Sequence, residues 1–579
     1  MPRGLKVRLP QQVSTRYLVV LALLAVALWV PRLRGPLDLR YDAGVYYILG
    51  TSLAEGRGYR LLNEPGDIQA IQYPPGLAAL VAVHQRLAGT SDPAVAGHWL
   101  RITYAALFLA YILAVYLLAV RYLPPGFAFL TALITLLHVH TSWMSDLLFA
   151  EIPFALATVL FLLVATDRER PRTGLAGGLA IAAYLLRSVG IAVLVAWVAE
   201  SFLRRNPRQL ITRAAICLVP VLGWQLYIGR VQSNAEYAHP AYAYQRAPYQ
   251  YYNVSYLENI RYVDPFVPEL GTVSAGEMAG RVGGALVRMP SSLGEAVSSR
   301  AEWSESQIKR LNTEVLSTPI PLWIVKVPLV LLGVLSLAGL VLLAHWGEWL
   351  IPLYVLGSIA LVGLTPWPGQ FERYLAPLTP LLALALLVAL LGFREWLGTT
   401  SRWRTRRLGT VILVTVLVGV LGQECFAIYK VYTKQHRVVE YSDAQGRRHE
   451  QRLFFYTQAW RTHDAALDWL RGVARRDDVV ATSTPHWAYL KSGTRAILPP
   501  FEADVRTARR LLDAVPVRYL VVDSLEFVDV SRRYAAPVAR AYPREWKLIY
   551  ASPDSTSRIY RRVDAAVVAA KTGPLLGAK

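Results

Sequence analysis

The chain carries a series of apolar runs long enough to leave water. A helix rises 1.5 Å per residue, so about 20 mostly apolar residues cross a hydrocarbon core of ~30 Å. Such runs occur at 17–31, 99–120, 124–141, 149–166, 174–203, 211–229, 321–344, 349–365, 373–393 and 408–429. The first is followed by Pro31-Arg32-Leu33-Arg34 rather than by a small-residue cleavage site, so it reads as an anchor. A polytopic α-helical membrane protein is the fold class this pattern requires. The excess of 61 Lys and Arg over 40 Asp and Glu would suggest nucleic acid in a soluble chain. Here it is loop charge that sets orientation, and no nucleic-acid partner is expected. Cys217 and Cys425 sit inside or beside apolar runs, which excludes a disulfide framework and a cysteine-based zinc site.

Basic residues collect at the N-terminus (Arg3, Lys6, Arg8, Arg16), at 168–172 (Arg168, Arg170, Arg172), at 204–213 and at 394–407. If all four face the cytoplasm, 174–203 must cross twice, as two short helices hinged near Arg187-Ser188-Val189-Gly190. The result is about 11 spans, with 31–98, 142–148, 230–320 and 431–579 on the outer face. Residues 1–430 form the membrane domain. The basic surplus of the tail pulls the other way, but large domains translocate largely regardless of charge.

The tail, 431–579, reads as a small α/β domain. A helix over His463–Val473 precedes short β-branched runs at 479–482 and 494–498. A helix over Ala503–Leu512, the run Tyr519-Leu520-Val521-Val522-Asp523, a helix over 531–541 and strands at 546–551 and 557–562 follow. It contains no glycine-rich phosphate loop.

Several residues are not explained by span building. Asp42 precedes an amphipathic stretch, 43–55, and would serve as a helix N-cap. A second amphipathic piece begins at Tyr73-Pro74-Pro75-Gly76, where proline suits a helix start. Asp146 and Glu151 lie at the outer end of the 124–141 and 149–166 pair. Glu151 reaches further into apolar sequence, where an acid is costly and more often functional. Arg101, Arg187 and Arg373 each fall at the outer end of a span. Arginine there can snorkel to headgroups, but Arg187 interrupts an otherwise apolar stretch. Three guanidiniums and three carboxylates on one membrane face suit an anionic, lipid-linked substrate. The Tyr-rich segment 237–262 reads as an interfacial belt, with stacking on sugar faces as its alternative.

An Asp just after the first span, a Tyr-Pro-Pro helix entry, an acidic second outer loop and Arg373-Tyr374 opening a late span together resemble the GT-C superfamily. The likeness is nearest to the dolichyl-phosphate-mannose protein mannosyltransferases and the bacterial aminoarabinose–lipid A transferases. It covers the layout of about 20 to 430, and the tail, with Ala465-Ala466-Leu467-Asp468-Trp469-Leu470, looks like the outer-face domain of bacterial members. The resemblance implies an inverting glycosyltransferase of the cell membrane, with its active site on the outer face. Its donor is a sugar on a polyprenyl phosphate, and its acceptor is a hydroxyl or amine on a lipid, glycan or protein. By that likeness Asp42 is the base and Asp146 or Glu151 the second-loop acid, while Arg101, Arg187 and Arg373 stand near the donor phosphate. Tyr41, Tyr46, Tyr73 and Tyr374, in or beside the same motifs, are expected to bind substrate. No cofactor is required, a divalent metal being the one left open.

Two positions depart from the mannosyltransferase pattern. Ala43 stands where those enzymes have a second acid, and Gly76-Leu77-Ala78 where they have a lysine. That argues against protein O-mannosylation and requires an arginine to supply the missing phosphate charge. Two other classes fit a multi-pass chain: a transporter of a lipid-linked sugar and a non-catalytic glycan-assembly subunit. The transporter predicts ionisable groups deep in spans and repeated, discontinuous helices. Here the charges gather at one face without an internal repeat. The subunit is separated by mutating Asp42 and following transfer rather than expression.

Overall fold

The computed structural model describes residues 12–167, 169–170, 172–299, 301–314, 319–398, 403–442 and 447–563. Of the orienting basic residues, Arg3, Lys6, Arg8, Arg168 and Arg402 lie outside these. The chain forms two compact units, each assembled from three separate segments.

The helical unit comprises Met1–Asp38, Tyr73–Leu226 and Ser274–Phe455. Among the described residues six helices are long and apolar enough to cross a membrane: Thr15–Arg32, Pro93–Ala119, Pro207–Gln232, Leu322–His345, Pro368–Gly398 and Arg407–Gln435. Shorter apolar helices include Pro125–Leu137, Glu151–Ala165, Thr173–Leu186, Ser188–Leu203 and Leu350–Gly363. The chain is thus a multi-pass helical membrane protein. The 174–203 run is divided as its sequence suggests: a helix ends at Leu186, Arg187 is extended, and a second helix begins at Ile191. Gly190 makes this turn possible, because a Cβ there would sit 2.6 Å from Tyr184 Cα. The 124–141 run behaves differently. It stops at Leu137, His138 is extended, and a short helix Val139–Met144 follows. A hairpin of β1 (His436–Ser442) and β2 (Arg448–Phe454) closes the unit.

The second unit comprises Leu39–Gln72, Tyr227–Val273 and Tyr456–Lys579. Its sheet uses β3 (Val479–Ala481), β4 (Arg495–Ile497), β5 (Val517–Val522), β6 (Trp546–Ala551) and β7 (Arg558–Arg562), in the order β4-β3-β5-β7-β6. The first three are mutually parallel, and β7 runs antiparallel to both β5 and β6. Successive strand residues point to opposite faces. Val480, Tyr519 and Val521 therefore meet Ala466, Leu467 and Leu470 of helix Gln458–Val473. Val479, Ala481 and Leu520 face Ala508 and Leu512 on the other side. Tyr242 and Tyr244 join this second core and Tyr249 stacks on Phe501. Much of the Tyr-rich segment is therefore interior packing of this unit rather than a membrane belt. The first loop is tied in as well: Ala496 N–H donates to the Asn63 carbonyl, and Asn63 Nδ2 donates back to the Ala496 carbonyl, both at 2.9 Å.

Candidate functional site

The charged residues singled out in the sequence sort into two clusters in the helical unit and one in the sheet-bearing unit.

In the first, Arg101 and Asp146 form an ion pair at 3.0 Å with both side chains buried. Arg101 Nε donates to the Pro36 carbonyl at 3.0 Å, and Nη1 also donates to the Arg32 carbonyl. Arg32 is buried alongside: its Nη1 donates to the Ser142 carbonyl at 2.9 Å and to Ser145 Oγ at 3.0 Å, and its guanidinium lies 4.0 Å over Trp29. The Asp38 main chain runs beside Asp146–Leu148 as a parallel bridge. Arg101 and Arg32 therefore pin the 142–148 segment against the chain at 32–38. Removing one member of a buried pair strands the other charge, which typically costs about 3–5 kcal/mol. Asp146→Ala is expected to lower the melting temperature of the solubilised protein markedly. A melt unchanged from wild type would show that the pair does not hold the loop.

The second cluster shares one carboxylate between two guanidiniums. Glu151 Oε1 lies 2.8 Å from Arg373 Nε and 3.4 Å from Arg187 Nη1. Glu151 opens helix Glu151–Ala165, where the helix dipole favours a negative charge. Arg187 is brought in by the break at 187–190, and Arg373 by the short helix Phe371–Leu375 that precedes Thr379–Gly398. Arg373 also stacks 4.2 Å over Phe149. Glu151 is only 4% exposed, whereas Arg187 and Arg373 are 15% and 20% exposed. The inner side of the cluster is sealed and the guanidinium side is partly open. The group joins two guanidiniums to one carboxylate, and an anion could take a place on their partly open side. Beside it, His140 Nε2 lies 3.6 Å from Glu372, a pair that spacing alone does not predict. Tyr374 is half-buried on the Arg373 helix and Tyr73 half-buried before helix Gly76–Ala88.

Asp42 belongs to the sheet-bearing unit. It stands at the N-cap position of helix Ala43–Ala54 but makes no side-chain capping bond. Instead its Oδ1 accepts the Tyr252 hydroxyl at 3.1 Å. Tyr41 is held in the left-handed region at φ +58°, which few non-glycine residues adopt. Its ring meets Trp460 edge-on at 5.3 Å and Phe527 at 5.0 Å. Arg40 is buried under Tyr41, Tyr456 and Trp460. Tyr46 is buried within the helix that Asp42 precedes.

Among the described residues no group of three or more His, Cys, Asp or Glu side chains is arranged to hold a metal ion. Sequence reasoning missed Tyr252, Arg32 and Arg40. Tyr252 was hidden among many tyrosines, and the two arginines looked like ordinary interfacial charge.

No protein-family model matches the chain, and no curated protein does. Solved structures do. The archaeal oligosaccharyltransferase AglB from Archaeoglobus fulgidus, in complex with an inhibitory peptide and a dolichol-phosphate, matches with a TM-score of 0.50 at 13% identity, over 95% of this chain and 74% of that one. The apo form of the Archaeoglobus fulgidus oligosaccharyltransferase matches with the same TM-score and coverage at 15% identity. ArnT from Cupriavidus metallidurans bound to undecaprenyl phosphate covers 96% of this chain and 99% of its own, at 14% identity and a TM-score of 0.41. The chain shares the fold of these oligosaccharyltransferase structures, the fold expected from its GT-C resemblance.

Proposed function

We propose that the protein is an inverting membrane glycosyltransferase, which moves a sugar from a polyprenyl-phosphate donor to an acceptor hydroxyl or amine on the outer face. The observation that carries this reading is the Glu151–Arg187–Arg373 group on a GT-C scaffold: two partly open guanidiniums share one sealed carboxylate. Arg187 and Arg373 hold the donor phosphate, and Glu151 sets their geometry. Arg101 and Asp146 then act structurally rather than on substrate. Tyr41, Tyr46, Tyr73 and Tyr374 keep the substrate-binding roles the resemblance implies.

In the reaction, Asp42 takes the proton of the acceptor O–H. The acceptor oxygen attacks the anomeric carbon from the side opposite the phosphate. The bond from that carbon to the phosphate oxygen breaks, and its electron pair leaves with the polyprenyl phosphate. A phosphate is already a good leaving group, so one base suffices and no general acid is needed. The guanidiniums stabilise the charge that develops on the departing oxygen.

The test is a deletion strain. Mass spectrometry of its surface glycans and lipids is expected to show one sugar missing and the sugar-loaded carrier accumulating. Accumulation of that carrier on the cytoplasmic face alone would instead identify a transporter. An unchanged glycan profile would refute the transferase.

A further inference from the structure

Asp42, whose side chain makes no capping bond to its own helix, is bonded by Tyr252 of the 230–320 segment, and Tyr252 in turn meets the C-terminal segment. Tyr252 donates its hydroxyl to Asp42 Oδ1 at 3.1 Å. The Tyr252 ring in turn rests edge-on against the His486 imidazole, with centroids 4.4 Å apart and planes at 79°. His486 opens the first turn of helix Pro485–Ser492, and its Nε2 makes no hydrogen bond among the described residues. Burial pushes this imidazole down to about 3, so it stays neutral and serves as an apolar wall. Gly44 leaves room for that wall, because a Cβ there would sit 3.0 Å from His486 Cβ and 3.3 Å from the Leu39 carbonyl. Next to Asp42 in the chain, the left-handed Tyr41 sets its ring edge-on against Trp460 and Phe527, which stack on each other. A non-glycine residue persists in that conformation only where its surroundings over-determine it.

We infer that Tyr252 is a positioning residue for the Asp42 carboxylate, aiming it through one hydrogen bond while His486 fixes the Tyr252 ring. The inference rests on the reading of Asp42 as the base. A phenol that donates to one carboxylate oxygen restrains the rotation of the group about its Cβ–Cγ bond. The segment from 456 onward is then part of the catalytic apparatus through His486, Trp460 and Phe527, although none of the three touches the reacting atoms. Misplacing a reacting group by an ångström can cost about a hundredfold in rate.

The experiment uses the full-length protein in detergent or nanodiscs. The probes are undecaprenyl-phosphate mannose, glucose and aminoarabinose, each scored by release of undecaprenyl phosphate in the presence of native membrane acceptor. Tyr252→Phe keeps the ring and its contact with His486 and deletes only the hydroxyl. It is expected to lower kcat about ten- to hundredfold, with the donor KM within about twofold and the melting temperature unchanged. Asp42→Asn and the double variant complete a cycle. If Tyr252 acts through Asp42, adding Tyr252→Phe to Asp42→Asn causes no further loss, because coupled sites are non-additive. Wild-type kcat in Tyr252→Phe, or a loss that multiplies with that of Asp42→Asn, overturns the positioning role and leaves the base assignment standing. Wild-type kcat in Asp42→Asn removes the base assignment, and the positioning role with it.

Discussion

Asp42→Asn is expected to abolish most transfer while leaving the protein folded and inserted. General-base catalysis typically contributes 10²–10⁴-fold in rate, and an amide cannot take the acceptor proton. The competing account of Asp42 as a helix cap predicts a small effect. Losing a cap costs about 1 kcal/mol, and Asn caps as well as Asp. The structure weakens that account further, because Asp42 occupies the N-cap position without a side-chain capping bond. Asn also keeps an oxygen to accept the Tyr252 hydroxyl. The measurement is kcat for the purified variant beside its thermal melt. A stable Asp42→Asn protein transferring sugar at near wild-type rate would place the base elsewhere.

The next largest effects are expected at Arg187 and Arg373. A hydrogen bond to a charged group is worth about 1.5–3 kcal/mol, so Ala at either position should weaken donor binding roughly ten- to hundredfold. Lysine retains the charge but loses the planar fork that can engage two phosphate oxygens. Each Lys variant should therefore fall between Ala and wild type. Added salt should not rescue the Ala variants, since screening weakens whatever charge attraction remains. Donor affinity is read by titrating undecaprenyl phosphate against intrinsic tryptophan fluorescence. Wild-type affinity in both Ala variants would make the two arginines structural partners of Glu151 and nothing more.

The membrane part was legible because its rule is strict. Backbone groups in hydrocarbon must be satisfied within the segment, so long apolar runs have little choice but helix. The break inside 174–203 was legible for the same reason, since Arg187 in apolar sequence followed by Gly190 marks a place where a helix stops. The break at His138 carried no such signal, falling inside a run, 124–141, that reads as one continuous helix. In the tail, all five strands from β3 to β7 stood out as short β-branched or alternating runs. Hairpin β1–β2 did not: its strands mix charged and apolar residues and are largely exposed. Helix Pro485–Ser492 was too short for periodicity to register. Helix Gln458–Val473 begins five residues ahead of its expected start, since helix ends are the least determined part of such a pattern.

The chemistry was less legible than the fold. Acids and arginines could be chosen as unusual, but pairing is a matter of distance and leaves no trace in spacing. Nothing in the chain indicates that Arg101 belongs with Asp146 while Arg187 and Arg373 share Glu151. Tyr252 is a sharper case. Its neighbours Tyr242, Tyr244 and Tyr249 fill the core of the same unit, and only the fold distinguishes the one whose hydroxyl meets a carboxylate.

The bond between Asn63 and Ala496 closes a loop across 433 positions of the chain. A ribosome adds about 5–20 residues per second, so Asn63 is made roughly 20 to 90 s before the strand it pairs with exists. Throughout that interval Asn63, flanked by Leu61, Leu62, Ile68 and Ile71, all buried in the finished protein, has no β4 to bond. The nascent first loop must therefore be sheltered until the last fifth of the chain arrives. A chain cut short before β4 leaves that loop permanently open to proteases and to aggregation, however well its spans are inserted.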